Sequence, residues 1–232
     1  SNLLIADEGI DAAVIKLENG KFCDSDFSDA TVTAGAGCDL STLIFSCVEK
    51  GLAGIEPLTG IPGSLGGAVK MNAGGRFGDI ASAVTSVSLM DENGSVFEKA
   101  RPELRFDYRK SNIKARFILS ATLELSKAEP EQIMRTVKEI WIYKKNNQPL
   151  ATRNAGSIFK NPPGQPAGAL IDRAGLKGLK VGGAMVSEKH GNFIIAGQGC
   201  KSSDVMQLID TIRQRVKENS GYELETEIEI WK

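Results

Sequence analysis

The segment best suited to chemistry is Gly60-Ile61-Pro62-Gly63-Ser64-Leu65-Gly66-Gly67-Ala68, followed by Asn72-Ala73-Gly74-Gly75. Glycines at this density let backbone amides approach a pyrophosphate with no Cβ in the way. Ser64 is placed to cap a helix, and free N–H groups at that helix start would add to an anion site. A tight structural turn accounts for the same glycines equally well. The pattern is not the dinucleotide fingerprint, because Pro62 interrupts it and no clean strand runs into it, and no P-loop lysine follows. Elsewhere the reactive types are scarce. His190 is the only histidine, so no multi-histidine metal centre can form and no metal site is expected. Cys23, Cys38, Cys47 and Cys200 form no C-x-x-C pair and read as reduced, partly buried thiols of a cytosolic protein.

These residues need a scaffold, and the chain is long enough to supply one. Its 232 residues, 41% apolar and 25% charged, correspond to one large domain or two small ones. A formal net charge of −1 argues against binding nucleic acid through an overall positive field. No apolar run approaches the ~18 residues of a membrane span, and no signal-peptide pattern opens the chain. Residues 12–17 and 31–34 are β-branched stretches that predict strands. Asp39 caps a predicted helix to Lys50, with Gly51 as terminator. Residues 83–90 and 95–98 predict a hairpin in which Asn93-Gly94 supplies left-handed turn conformations. A strand is expected over 117–125.

After Pro130, the apolar residues Ile133, Met134, Val137, Ile140 and Trp141 recur at helical spacing to about Asn147. A glycine- and proline-bearing loop covers 148–168. Val205, Leu208, Ile209, Ile212 and Val216 mark a second helix ending near Gly221. Residues 223–230 alternate strictly, placing four glutamates on the face opposite Leu224, Thr226, Ile228 and Ile230. The mixture lacks a regular βαβ repeat, so the fold class is α+β. A boundary near 126–130 divides the charge. Residues 1–127 hold 13 basic and 17 acidic residues, net −4, and residues 128–232 hold 15 and 12, net +3. The C-terminal part is thus the better home for an anionic ligand.

Several motifs, in order along nearly the whole chain, resemble those of the UDP-N-acetylenolpyruvoylglucosamine reductase (MurB) family. The glycine segment with Met71-Asn72-Ala73-Gly74 is similar to its flavin-binding stretch. Ser1-Asn2-Leu3-Leu4 with Asp7 and Gly9 resembles G-S-N-L-L-x-x-D-x-G, and Tyr108-Arg109-Lys110-Ser111 resembles Y-R-x-S. Gly156-Ser157-Ile158-Phe159-Lys160-Asn161-Pro162 resembles G-S-x-F-K-N-P. Further matches lie at 167–171, 175–178 and Val186-Ser187-Glu188-Lys189-His190, and Leu224-Glu225-Thr226-Glu227-Ile228 resembles L-E-x-E-V.

The resemblance implies an FAD-binding domain of the PCMH/vanillyl-alcohol-oxidase type over 1–127, and a smaller α+β substrate-binding domain over 128–232. It implies NADPH- and FAD-dependent reduction of UDP-N-acetylglucosamine-enolpyruvate to UDP-N-acetylmuramate, a cytoplasmic step of peptidoglycan precursor synthesis. Nucleic acid, membrane and an obligate protein partner have no part in it. The family's catalytic arginine, proton-donating serine and catalytic glutamate fall on Arg109, Ser157 and Glu227. FAD would be held by Ser1, Asn2, Gly60, Ile61, Pro62, Gly63, Ser64, Gly66, Gly67, Ala68, Asn72 and Gly74. Tyr108, Lys160 and Asn161 are substrate-binding candidates. Lys144 and Lys145 join them on position and charge, which an exposed helix end explains equally well. His190 reads as a structural hydrogen-bonding residue.

The family's first flavin-binding portion is expected upstream of Ser1, outside this chain, and the branch that carries a substrate-capping tyrosine loop is not matched. Two other readings remain. One is a different FAD oxidase of the same fold, which would lack the Ser157 motif and Glu227. The other is a non-catalytic nucleotide-sugar-binding fragment.

Overall fold

The structure, a computed structural model, describes residues 1–232. Its contacts divide the chain into two units, Val14–Tyr143 and Ser1–Ala13 with Lys144–Lys232. This division differs from the expected one at 127/128 at both ends. The first residues belong with the C-terminal unit, and most of the helix after Pro130 belongs with the other.

In the Val14–Tyr143 unit, alternating strands build a five-stranded antiparallel sheet in the order 25–28, 31–35, 117–124, 84–90, 96–100. Period-two alternation sends Val32, Ala34, Ala121 and Leu123 into the core, while Thr33 and Thr122 meet on the opposite face with hydroxyl oxygens 3.0 Å apart. A register shift between Thr122 and Leu123 lets Val84 and Val87 both face the core despite their odd spacing. Helix α1 (Leu40–Glu49) begins where Asp39 Oδ1 accepts from Thr42 N at 2.9 Å, and it buries Leu40, Leu43, Ile44, Cys47 and Val48. The short α2 (Leu65–Lys70) follows the glycine segment. Helix α3 (Pro130–Asn147) buries Ile133, Val137 and Ile140, but Trp141 lies outside its core-facing stripe and is 46% exposed.

Two local expectations fail here. Residues 12–17 form no strand, and Val14 and Ile15 stand exposed. β-branched residues without a partner strand have nothing to pair with. In the 84–90/96–100 hairpin, Met90 pairs with Val96, and of Asn93 and Gly94 only Gly94 takes a positive φ, of 82°. The Asp91 carboxylate organises this longer turn by accepting from Asn93 N and Ser95 N, each at 2.9 Å.

The second unit has its own core, built around α4 (Ala167–Arg173), α5 (Ser202–Ser220) and an antiparallel sheet of 180–181, 184–186 and 194–196. Helix α5 buries all five residues of its predicted stripe and stops at Gly221, with φ 74° and its N–H donated to Lys217 O. Strand 229–231 pairs in parallel with 3–5. Regular strand thus covers only the end of the expected 223–230 element, yet the alternation persists in burial: Leu224 and Ile228 are buried, Glu223, Glu225 and Glu229 exposed. The Asp7 carboxylate accepts from Ser202 N at 2.7 Å and from Ser202 Oγ at 2.9 Å, so a residue near the chain start caps α5.

Replacing Asp7 with Ala is expected to lower the unfolding free energy by about 1 kcal/mol, the usual worth of a helix cap. Urea denaturation followed through the C-terminal unit measures it.

Candidate active site

The glycine segment ends on α2, and Ser64 caps that helix as expected, its Oγ accepting from Gly67 N at 3.5 Å. The first-turn amides, however, are not free. Leu65 N donates to Cys38 O at 2.9 Å and Gly66 N to Ala36 O at 2.8 Å. A Cβ on Gly66 would stand 2.8 Å from Ala36 Cβ, so this glycine permits a close approach between backbones. The donors outside the chain's own hydrogen bonds are instead the amides of Gly60, Gly63 and Ser64. Gly60 and Gly63 take φ of 74° and 132°, which turns the backbone through conformations that residues with a Cβ rarely adopt. Uncommitted amides on a side-chain-free turn are the donor set a pyrophosphate needs, so this segment fits the diphosphate of FAD. Ile61, Pro62 and Ala68 lie on the same segment. Gly74 answers to a different need, since a Cβ there would overlap Asp79 in the paired strand 78–79.

The end of α2 also holds the Arg109 hairpin. Strands 106–107 and 110–111 pair Asp107 with Lys110, leaving Tyr108 and Arg109 at the turn. Arg109 has φ 56°, a left-handed conformation that normally falls to glycine or asparagine, and its guanidinium lies over the exposed Tyr108 ring at 5.0 Å. Three bonds tie this turn to α2: Asn72 Nδ2 donates to Asp107 O at 3.0 Å, Ser111 Oγ to Lys70 O at 2.8 Å, and Lys70 Nζ to Ile113 O at 2.5 Å. Asn72 is buried and also accepts from Ala81 N, so the FAD candidate works as a brace for the arginine.

In the second unit Ser157 and Glu227 lie on adjoining segments. Glu227 N donates to Ile158 O and Lys160 N to Glu225 O, each at 2.8 Å, which sets Phe159 opposite Thr226. Opposed residues share a face, so Glu225, Glu227 and Lys160 fall together, and the Lys160 ammonium meets the Glu225 carboxylate at 2.5 Å. Glu227 is the one glutamate of the four that is not exposed. Glu223 is drawn off by Lys217, whose ammonium lowers its pKa through a hydrogen bond and charge. Asn2 Nδ2 donates to Glu227 O at 3.0 Å, and Glu229 N to Asn2 O at 2.9 Å. Ser157 is half-buried, just after Gly156, whose φ is 82°. On the other flank Ile158 N donates to Asn192 O at 2.9 Å, while the Asn192 carboxamide accepts from Phe159 N at 2.9 Å and donates to Phe159 O at 2.7 Å.

Asn161 Oδ1 accepts from Ala167 N and so orders the start of α4. Lys144 is buried at 8% exposure, whereas Lys145 is exposed and its carbonyl accepts from Lys189 Nζ, so the two lysines are not equivalent. His190 Nδ1 accepts from Asn192 N at 3.2 Å, which leaves the proton on Nε2. Burial, reinforced by Lys177, holds this imidazole below its usual range. Cys38 and Cys47 are buried thiols, and burial with the nearby Glu56 pushes Cys47 up to about 12. Two clefts of 320 and 450 Å³, the first lined by Arg76, Phe77 and Tyr143 and the second by Met134 and Arg135, contain none of the candidate residues. Asn192 and Lys70 carry structural duties that no short-range signal announces, although Asn192 lies two residues after the matched stretch ending at His190, whereas Ser111 belongs to the matched Tyr108–Ser111 motif.

Comparison with known proteins places two family models on the chain: an FAD binding domain over residues 1–99, and the C-terminal domain of UDP-N-acetylenolpyruvoylglucosamine reductase over 148–231. The reductase of Lachnoclostridium phytofermentans is 43% identical, covering 99% of this chain and 76% of its own length. That of Bacillus subtilis is 39% identical, covering 99% and 77%. The crystal structure of the Thermus caldophilus enzyme superimposes with a TM-score of 0.86 at 42% identity, over 100% of this chain and 82% of that one.

Two outcomes test this geometry. Because a left-handed non-glycine residue costs of the order of 1 kcal/mol, Arg109→Gly should leave the unfolding free energy, measured by urea denaturation, unchanged or raise it by up to about that amount. Because folding holds His190 neutral, its contribution to stability is complete above the unfolded-state value of 6.5 and fades as the pH falls from there through the lowered folded value. A His190→Gln variant should therefore lose less stability than the parent between about pH 7.5 and 5.5, read by thermal unfolding.

Proposed function

The chain belongs to the UDP-N-acetylenolpyruvoylglucosamine reductase family, and from that premise we infer that it reduces the enolpyruvyl ether of UDP-N-acetylglucosamine to the lactyl ether of UDP-N-acetylmuramate, with NADPH as reductant. FAD, when bound, would supply the hydride carrier between NADPH and the methylene carbon of the enolpyruvyl group. The chain's own residues must hold the diphosphate of that cofactor, grip the substrate carboxylate, stabilise the enolate that hydride addition creates, and return a proton.

Each task has a residue suited to it. The amides of Gly60, Gly63 and Ser64 hold the cofactor's diphosphate. Arg109, permanently charged and braced by α2, takes the substrate carboxylate. Ser157 gives up the proton. Serine is a weak acid, so the transfer depends on its being held where the carbanion develops. Glu227 stabilises the enolate as a carboxylic acid. Lys144, Lys145, Lys160, Asn161 and Tyr108 serve the sugar nucleotide, whose anionic diphosphate suits the surplus of basic residues after residue 127. Lys160 would then exchange its Glu225 partner for phosphate. The reaction belongs in the cytoplasm, where four unpaired cysteines are at home.

The observation that carries this reading is the bond from Glu227 N to Ile158 O. It joins, residue against residue, the two distant motifs in which the proposed acid and proton donor lie. A purified yellow protein that NADPH bleaches and the enolpyruvyl sugar nucleotide recolours supports the reading. A colourless protein that binds the sugar nucleotide without turnover would instead be a binding module. Glu227→Gln should slow recolouring by roughly 10²–10⁴-fold, the usual worth of an acid–base group, while bleaching by NADPH is spared. Equal loss in both steps would remove Glu227 from its role.

A further inference from the structure

Ile158 and Phe159 are each 1% exposed, so their backbone groups have no water to fall back on. Ile158 N–H goes to Asn192 O, and Ile158 C=O receives Glu227 N–H. At Phe159 no neighbouring backbone takes up the ladder, and the side chain of Asn192 supplies both partners. Asn192 is itself 4% exposed, and its backbone N–H is spent on His190 Nδ1. All four of its polar groups are thereby engaged, three of them on the two residues that follow Ser157.

We propose that Asn192 is a positioning residue for the reduction: its carboxamide stands in for a missing strand at Phe159, which holds Lys160 and Ile158 in register with Glu225 and Glu227 and so fixes the adjoining Ser157. This rests on the functional reading above and adds a residue to it. A carboxamide of this length presents one donor and one acceptor at the spacing of a peptide group. Aspartate would set a second acceptor against Phe159 O, and leucine would fill the volume while satisfying neither group. Either way, the buried Phe159 N–H and C=O must find other partners, and the segment from Ser157 to Lys160 moves with them. A displacement near 1 Å costs about 10²-fold in rate when reacting groups must be aligned.

The test uses the FAD-loaded protein and its Asn192→Leu and Asn192→Ser variants, the serine leaving room for a bridging water should leucine prevent folding. In rapid mixing, recolouring by UDP-N-acetylglucosamine-enolpyruvate should slow by about 10²-fold in Asn192→Leu and at least about tenfold in Asn192→Ser. Bleaching by NADPH should stay within about twofold of the parent, and kcat should fall more than KM changes. Hydrogen exchange at the Phe159 amide should quicken in both variants while the α5 amides hold their protection. Equal slowing of both steps, or faster exchange with recolouring untouched, would reduce Asn192 to a structural residue and overturn the proposal, as would unchanged exchange at Phe159. A parent protein that bleaches but never recolours with this substrate would instead strike the functional reading, and exchange at Phe159 would still decide whether Asn192 holds the ladder.

Discussion

A buried extended segment must find a partner for each of its N–H and C=O groups, and Ile158–Lys160 meets that demand from two sides at once. The 225–227 segment supplies one side and Asn192 the other. Much of the second unit follows from this arrangement. It sets which residues oppose one another, so Lys160 meets Glu225 while Glu227 is left half-buried beside Ile158. It extends outward through Asn2, whose side chain and carbonyl hold Glu227 O and Glu229 N. The segment at the chain start therefore belongs with the C-terminal core, and Asp7 completes the attachment by capping α5. Backbone pairing holds the segments on which both Ser157 and Glu227 lie: Glu227 N donates to Ile158 O, and Ser157 is bridged to Phe193.

The Val14–Tyr143 unit solves the corresponding problem for a cation. An arginine at a tight turn would ordinarily be loose and solvated, and a glycine would suit that turn better. Arg109 occupies the left-handed position regardless, and the cost is offset by the braces from Lys70, Asn72 and Ser111. The helix that follows the glycine segment thus has a second duty. Its N-terminal end closes the turn proposed to hold a diphosphate, and its C-terminal end braces the turn that carries Arg109. A conformational cost accepted at a charged residue, and supported from outside the turn, is what a site that grips a carboxylate requires.

Local signals in the sequence were dependable where the chain's own neighbours decide the outcome. Asp39 and Gly221 bound their helices, Pro130 starts α3, and the apolar stripe of α5 is buried throughout. Residues 12–17 misled because β-branched side chains favour a strand only where another strand is available. The 91–95 turn misled because the Asp91 carboxylate, and not a pair of left-handed residues, organises it. The glycine segment was legible as a turn of close backbone approach, but which amides remain uncommitted depends on Ala36 and Cys38, which lie in the distant turn before α1. Alternation over 223–230 identified a glutamate face without distinguishing Glu227 from its neighbours, because that distinction comes from pairing with a segment far away in sequence. Asn192 left no readable pattern at all: a side chain that replaces a strand is visible only once the strand it serves is in place.

The central claim is that Ser157 and Glu227, held by pairings to adjoining residues of one segment, act as a unit on one substrate. A double-mutant cycle in the substrate-driven recolouring step addresses this most directly. If the two residues serve the same proton transfer, Ser157→Ala with Glu227→Gln will be little slower than the worse single variant. Losses that multiply, each variant contributing its full factor independently of the other, would contradict the account.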